Sequence, residues 1–461
     1  MRSHLSPLDQ VFLEIEQADD KVQMQLAWAA VFEPTESGEQ PSLEKLREQV
    51  RRRLVGNAAL RRRLSIPQVD SFAVPIWLPD PDFDVGEQVC QATLPAPGNE
   101  AQLMDWIGGY IAQRLDRSRP LWEVTLVDGL EDGAWALVGK FHQCMGDGIS
   151  AAYLVASLID IEPETEIDMA ALAQLTDALG RESERGVLWR VRGAVGEEVS
   201  GGIDADLRLP NVASIVSRSR ERTEKLAREE LPAAAPTSLN GPTGMRRRVL
   251  SLETPLAAAK AVKRELGGRV DDVVLAATAG GLRRLFEHRG EEVETVRAAM
   301  PVSMRRAKES LVLGNGAAPF FIELPISDPD PLRRYRRIAK TAQARRQGAN
   351  PMMAELIEST NLNPALVQCI FARLAFTPGL FNLTVASIPT APIPLYALGC
   401  QMRRGIPLGS LFSGHNLGVA AVTYGDKLSF GLAADHDALP DLAVLQLGIE
   451  EALSELGMVA A

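Results

Sequence analysis

LWEVTLVDGLEDGAWALVGKFHQCMGDGIS, residues Leu121–Ser150, holds two short runs in which apolar side chains alternate. Leu121–Val127 and Trp135–Phe141 repeat with the two-residue period of a strand. Between them stand Asp128-Gly129 and Asp132-Gly133, dipeptides suited to tight turns, so the stretch predicts a β-hairpin. After Asp147-Gly148 the period changes. Ile149, Ala152, Tyr153, Ala156 and Ile159 recur at helical spacing. A strand therefore ends and a helix begins across KFHQCMGDGIS, with Asp147 placed to cap the helix.

Working outward, 461 residues exceed one compact core, and two domains are expected. Helices mixed with short strands place an α/β (α+β) domain over residues 1–165. From about Ile161 to Asn240 the chain turns polar, charged and rich in Ala, Gly and Pro. Residues 166–240 thus read as connecting helices and linker, with Ser214–Glu230 a charged amphipathic helix and Leu231–Gly244 the linker. Residues 241–461 read as a second domain of the same class. There Arg269–Gly290 predicts a long helix whose Ala276, Ala277, Gly280 and Gly281 suit close packing. Asn382–Pro389 predicts a strand, and Asn416–Asp435 a hairpin turning at Gly425-Asp426.

Several function classes are excluded. A net charge of −11 argues against general nucleic-acid binding. The runs Arg51–Arg53 and Arg61–Arg63 read as solvated helix faces, with contact to acidic lipid or phosphates as the alternative. Cys90, Cys144, Cys369 and Cys400 are scattered without metal-ligand spacing, which fits a reducing cytoplasm. No two of His4, His142, His288, His415 and His436 are four residues apart, so no metal site is expected. Neither a G-x-S-x-G elbow nor a phosphate-binding G-x-x-x-x-G-K-[ST] loop is present. MRSHLSPLDQVF lacks the apolar core of a signal peptide, and no run approaches 18 apolar residues. Any membrane contact is expected to be peripheral.

A general base working near neutral pH is then hard to find. His142 and Asp147 are the one histidine and carboxylate placed together at a strand–helix junction. Taken alone they fit two readings: a histidine satisfied by backbone, or a proton-transfer site.

The stretch resembles the bacterial wax ester synthase/diacylglycerol acyltransferase family. That family carries His-His-x-x-x-Asp-Gly after a lysine–hydrophobic pair, and KFHQCMGDG matches it. The resemblance runs through the chain in order. It includes LSPLDQVFLEIE (Leu5–Glu16), Pro120-Leu121-Trp122, TSLNGPTGMRRR (Thr237–Arg248) and VDDVVLA (Val270–Ala276). MPVSMRR with GNG, IPTAPIPLYALG and YGDKLSFGLAADHDALPD continue it. It implies two chloramphenicol-acetyltransferase-like domains with the active site at their interface. It also implies acyl transfer from acyl-CoA, a co-substrate, to diacylglycerol or a long-chain alcohol, giving triacylglycerol or wax ester. No further cofactor is implied. Apolar substrates without a spanning segment imply a cytoplasmic protein peripherally associated with membranes or lipid droplets.

The resemblance places the second histidine as base, with the aspartate holding the loop and the glycine allowing close approach. Here His142 falls on the first histidine, Gln143 on the second, Asp147 on the aspartate and Gly148 on the glycine. Glutamine has no nitrogen that takes up the alcohol proton. Two further departures are Asp271 in place of asparagine and Ser387 where an asparagine is usual. Pro120, Leu121, Trp122, Asp271, Asp272, Arg305 and Ser387 are the candidate substrate-binding or site-shaping residues. Trp122 also reads as a core residue beneath the loop, Asp272 as a helix cap, and Arg305 as a partner of Asp147 or a solvated side chain. Two functions are weighed: an O-acyltransferase impaired at Gln143, and a weak or inactive relative serving as an acyl-CoA or lipid-binding module. A condensation-domain reading lacks a carrier domain. The expected path brings the strand pair's end, with His142 and Gln143, into a channel between the domains.

Overall fold

The computed structural model describes residues 5, 7–35, 38, 41–54, 58–65, 75–146, 155, 158–161, 233–303, 317–347, 379–388 and 393–459. The described part of the first half contains α1 (Pro7–Ala18), β1 (Gln25–Phe32), α2 (Leu43–Leu54), β2 (Arg62–Ser65), β3 (Ile76–Pro79), α3 (Val85–Gln88) and β4 (Val89–Thr93). Next come α4 (Glu100–Ile111), β5 (Trp122–Asp128) and β6 (Trp135–His142). The second half adds β7 (Arg247–Pro255), α5 (Leu256–Leu266), α6 (Val270–Arg289), β8 (Thr295–Ser303), β9 (Ala317–Pro325) and α7 (Pro331–Gln347). It closes with β10 (Leu383–Ile388), β11 (Tyr396–Ala397), β12 (Cys400–Leu408), β13 (Leu417–Tyr424), β14 (Lys427–Asp435) and α8 (Leu442–Val459).

The expected hairpin is β5 and β6, paired antiparallel from Trp122↔Phe141 to Val127↔Ala136. Gly129 and Gly133 take positive φ at the connection, where a side chain would be strained. The second expected hairpin is β13–β14, with Gly425 at φ +56° in its turn. Twelve of the described strands form two six-stranded sheets, ordered β11-β12-β1-β6-β5-β4 and β7-β14-β13-β10-β8-β9, and β2 and β3 pair as a separate antiparallel two-stranded sheet. Sheet membership does not follow the chain division at residue 241. β11 and β12 leave the second half and complete the first sheet, β12 pairing antiparallel with β1. Where β12 passes over β14, a Cβ on Gly431 would stand 1.9 Å from the Pro407 carbonyl oxygen. Only glycine lets the two backbones approach that closely.

Strand alternation divides the first sheet between two cores. Trp28, Ala30 and Phe32 of β1 join Leu46, Val50 and Leu54 of α2 with Trp122, Val124 and Leu126 of β5. Ala27, Ala29 and Val31 face the other way, onto Leu103, Met104 and Ile107 of α4 with Val249, Ile406 and Ala433 from the second half. α4 begins in a capping box: Asn99 Oδ1 accepts from the Gln102 amide at 3.0 Å, and Gln102 Oε1 accepts from the Asn99 amide at 2.9 Å. Its Gly108 lies against the Arg247 carbonyl, so the helix packs on β7 and is shared between the halves.

In the second half, α6 carries the close contact that its small residues suggested. Cβ atoms on Gly280 and Gly281 would stand 2.5 Å from Ala452 and 2.6 Å from Ile449 of α8. Part of the expected linker is held in place rather than free: Leu239 is fully buried, and Asn240 Nδ2 donates to the Gly414 carbonyl at 3.0 Å. Ser214–Glu230 lies outside the described residues. Arg51–Arg53 lie on α2 as expected, Arg51 paired with Glu48 and Arg53 inward with Asp160, but Arg62 and Arg63 are not on a helix face: they open strand β2, where Arg63 meets Asp80.

Candidate active site

The end of β6 is held from both sides. The His142 amide donates to the Leu121 carbonyl at 2.9 Å, and the Gln143 amide to the Met24 carbonyl at 2.8 Å. A short 3-10 turn, Gln143–Met145, follows at once. The His142 side chain caps this turn: its Nδ1 accepts from the Cys144 amide at 3.0 Å. A backbone amide only donates, so Nδ1 is the acceptor here and Nε2 is left as the ring's donor.

Nε2 faces Glu16 Oε2 at 3.4 Å. Glu16 lies one turn after Phe12 on the buried side of α1, only 2% exposed. Its Oε1 accepts from the Met24 amide at 3.1 Å, and its Oε2 accepts from Arg117 Nη2 at 2.6 Å. Burial raises the Glu16 carboxyl. His142 and the Arg117 guanidinium outweigh that and bring it from 4.5 down to about 2. Arg114 adds bonds to the Glu16, Asp19 and Val22 carbonyls, tying off the end of α1. A buried carboxylate thus fixes the ring that fixes the turn carrying Gln143.

A second clamp lies two residues earlier. Lys140 is buried, and its Nζ donates to the Tyr110 and Gln113 carbonyls at the end of α4 while resting 4.3 Å from the Tyr110 ring centroid. An ammonium there suits the negative end of the helix dipole. Burial lowers its pKa, with Glu123 opposing. Gln25, opposite His142 in the strand register, donates to the Ile111 and Gln113 carbonyls. Its own carbonyl accepts from Ser410 Oγ at 2.7 Å, which joins the residue to the segment after β12.

The structure brings His142, Gln143 and the Pro-Leu-Trp stretch together. Pro120, Leu121 and Trp122 are buried; Leu121 supplies the carbonyl that holds His142, and Trp122 Nε1 donates to the Leu60 carbonyl at 2.7 Å. Trp122 shares a core with Cys144 and Met145, so it lies under the turn. Gln143 is half-buried beside the seam between halves. Met24, which holds its amide, packs with Phe12 and Val22 against Ala299, Phe381 and Phe412 of the second half.

His142 departs from expectation. It is 1% exposed rather than facing outward, because the strand ends there and the turn carries the next side chain off the strand direction. Asp272 is not the N-cap but the third residue of α6, fully buried, with Oδ2 accepting from the Arg269 amide at 2.8 Å. That carboxylate helps close the start of a second-half helix. Asp271 is half-buried beside it. Ser387 is half-buried on β10, opposite Ala421 of parallel β13. Asp147, Gly148 and Arg305 lie outside the described residues. Glu16 and Arg117 were not singled out from sequence. The available signal was a carboxylate at i+4 from Phe12, on the apolar face of LDQVFLEIE.

The family model for the wax ester synthase/diacylglycerol acyltransferase catalytic domain matches residues 5–274, and that for the WS/DGAT C-terminal domain matches 313–457. The chain is 33% identical to "Probable diacyglycerol O-acyltransferase tgs1" of Mycobacterium tuberculosis, over 98% of this chain and 96% of that protein. It superposes on the wax ester synthase/diacylglycerol acyltransferase of Marinobacter aquaeolei VT8 with TM-score 0.71 and 23% identity, covering 99% of both chains. The first condensation domain of the calcium-dependent antibiotic synthetase gives TM-score 0.61 at 17% identity, covering 100% of this chain and 96% of that one. The two structural likenesses establish a two-domain, chloramphenicol-acetyltransferase-like fold. The full-length match in sequence, with the described part of the motif seated at the seam of that fold, shows that the chain belongs to the wax ester synthase/diacylglycerol acyltransferase family.

Proposed function

We propose that this chain transfers a fatty acyl group from acyl-CoA to the hydroxyl of diacylglycerol or a long-chain alcohol. The carrying observation is family membership along the whole chain, combined with a turn held in place at the base position. In the reaction the hydroxyl oxygen bonds to the thioester carbon, the C–S bond breaks, and the hydroxyl proton ends on the CoA thiol. Gln143 stands where the family has its base. Its amide oxygen accepts a hydrogen bond from the hydroxyl and so orients it, but it holds no proton. The proton passes to solvent or to the departing thiolate, which makes this transfer slow. Asp147 and Gly148 keep the family's roles of holding the turn and admitting substrate.

General-base catalysis contributes about 10²- to 10⁴-fold, while positioning and carbonyl polarisation contribute separately. The chain therefore retains a measurable rate. No helix among the described residues is long and apolar enough to cross a membrane. The apolar substrates implied by this reading would be met by reversible surface association. The test is CoA release from palmitoyl-CoA over a panel of long-chain alcohols and diacylglycerol. Slow release that depends on the acceptor supports the transferase. Acyl-CoA binding without acceptor-dependent release favours a binding module instead.

A further inference from the structure

Helix α7 carries seven Lys/Arg and no Asp/Glu in 17 residues, within a chain of net charge −11. Its core side is Arg334, Tyr335, Ile338 and Ala342, all buried. At 100° per residue these occupy one side of the helix, while Arg333, Arg336, Arg337 and Lys340 fall on the opposite side, within about 100° of arc. All four are exposed. From Arg333 to Lys340 the stripe runs roughly 10 Å along the helix.

Acidic neighbours offset only one end. Asp328 meets Arg333 at 3.0 Å and Arg337 at 3.8 Å, and Asp330 reaches Arg333 at 4.0 Å. Buried Arg334 turns to Glu455 of α8. Arg336 and Lys340 pair with no acidic side chain among the described residues. A cationic stripe of this kind complements an anionic lipid surface, where its basic groups meet the headgroups.

We infer that the exposed face of α7, centred on Arg336 and Lys340, docks the protein on a surface rich in anionic phospholipid. This rests on the proposed function only in taking the substrates to be lipids. Each basic group contributes roughly five-fold to partitioning on such a surface. Arg336→Gln/Lys340→Gln should therefore weaken binding about 25-fold, whereas Arg51→Gln/Arg52→Gln on α2 should leave it unchanged.

The experiment is co-flotation of the full chain with phosphatidylglycerol and with phosphatidylcholine vesicles, at low and high salt. Binding that prefers phosphatidylglycerol, falls with salt and is lost in the α7 variant supports the surface. Equal binding to both vesicles, parent-like binding by the α7 variant, or an equal loss in the α2 control overturns it. Failure to bind either vesicle also overturns it and leaves an acidic protein as the partner to seek. CoA release with detergent-dispersed hexadecanol is measured alongside. Loss of release in every protein, with vesicle binding behaving as expected, would sink the transferase reading and leave the surface standing.

Discussion

Replacing Glu16 by glutamine removes one charge from the cluster that holds the Gln143 turn, at nearly constant volume. A carboxyl at about 2 instead of 4.5 contributes roughly 3 kcal/mol of stability at neutral pH. The folded-state value is depressed, so the contribution is complete above pH 4.5 and is lost as pH falls through 2. The glutamine oxygen replaces one acceptor, but its NH₂ then faces Arg117 or the Nε2 hydrogen of His142, each already a donor. A loss of about 2–3 kcal/mol follows. The difference between parent and variant should itself shrink between pH 4.5 and 2, because acid removes from the parent what the mutation has already removed. Freed from Nε2, the His142 ring no longer presents Nδ1 to Cys144, and CoA release should fall by about 10- to 100-fold through misplacement of the turn. The assay is urea unfolding followed by tryptophan fluorescence across a pH series, with CoA release at neutral pH. A variant as stable as the parent, with the same acid dependence, would refute the claim that Glu16 is a buried anion fixing the turn.

Two further outcomes are expected. Gly431→Ala puts a methyl group into the Pro407 carbonyl where β12 crosses β14 and should cost about 3 kcal/mol or more, read as loss of soluble protein or a lower unfolding midpoint. Burial lowers His415 from 6.5 to about 4, so its contribution of roughly 3 kcal/mol is complete above pH 6.5 and lost as pH falls through 4; His415→Leu should abolish that part of the acid sensitivity in urea titrations.

Local features were legible because local chemistry decides them. Alternation with Asp-Gly punctuation located β5 and β6, and Gly290 at φ +66° ends α6 where the helical period stops. Long-range pairing was not legible. Nothing within QMRRGIPL says that β12 joins the first sheet, since β1 supplies its hydrogen-bond partners from the far end of the chain. For the same reason the motif located Gln143 but not its support. Glu16 reaches His142 only after α1 folds back under the turn, and a carboxylate on an apolar helix face does not name its partner. Asp272 shows the limit of a local reading: a carboxylate at a helix start reads equally as a cap or a substrate contact, and only the fold shows that it closes its own helix.

The measurement that bears most directly on the site is CoA release by the parent and by Gln143→His, with hexadecanol and with diacylglycerol, together with palmitoyl-CoA affinity. A histidine in that position restores a group that accepts the hydroxyl proton near neutral pH, and the turn that carries it is already held by Met24, Leu121 and the His142–Glu16 pair. Turnover should rise by about two orders of magnitude or more, with little change in palmitoyl-CoA affinity. Equal, high rates in the two proteins would mean that a different group takes the proton, and would contradict the assignment of Gln143 to the base position.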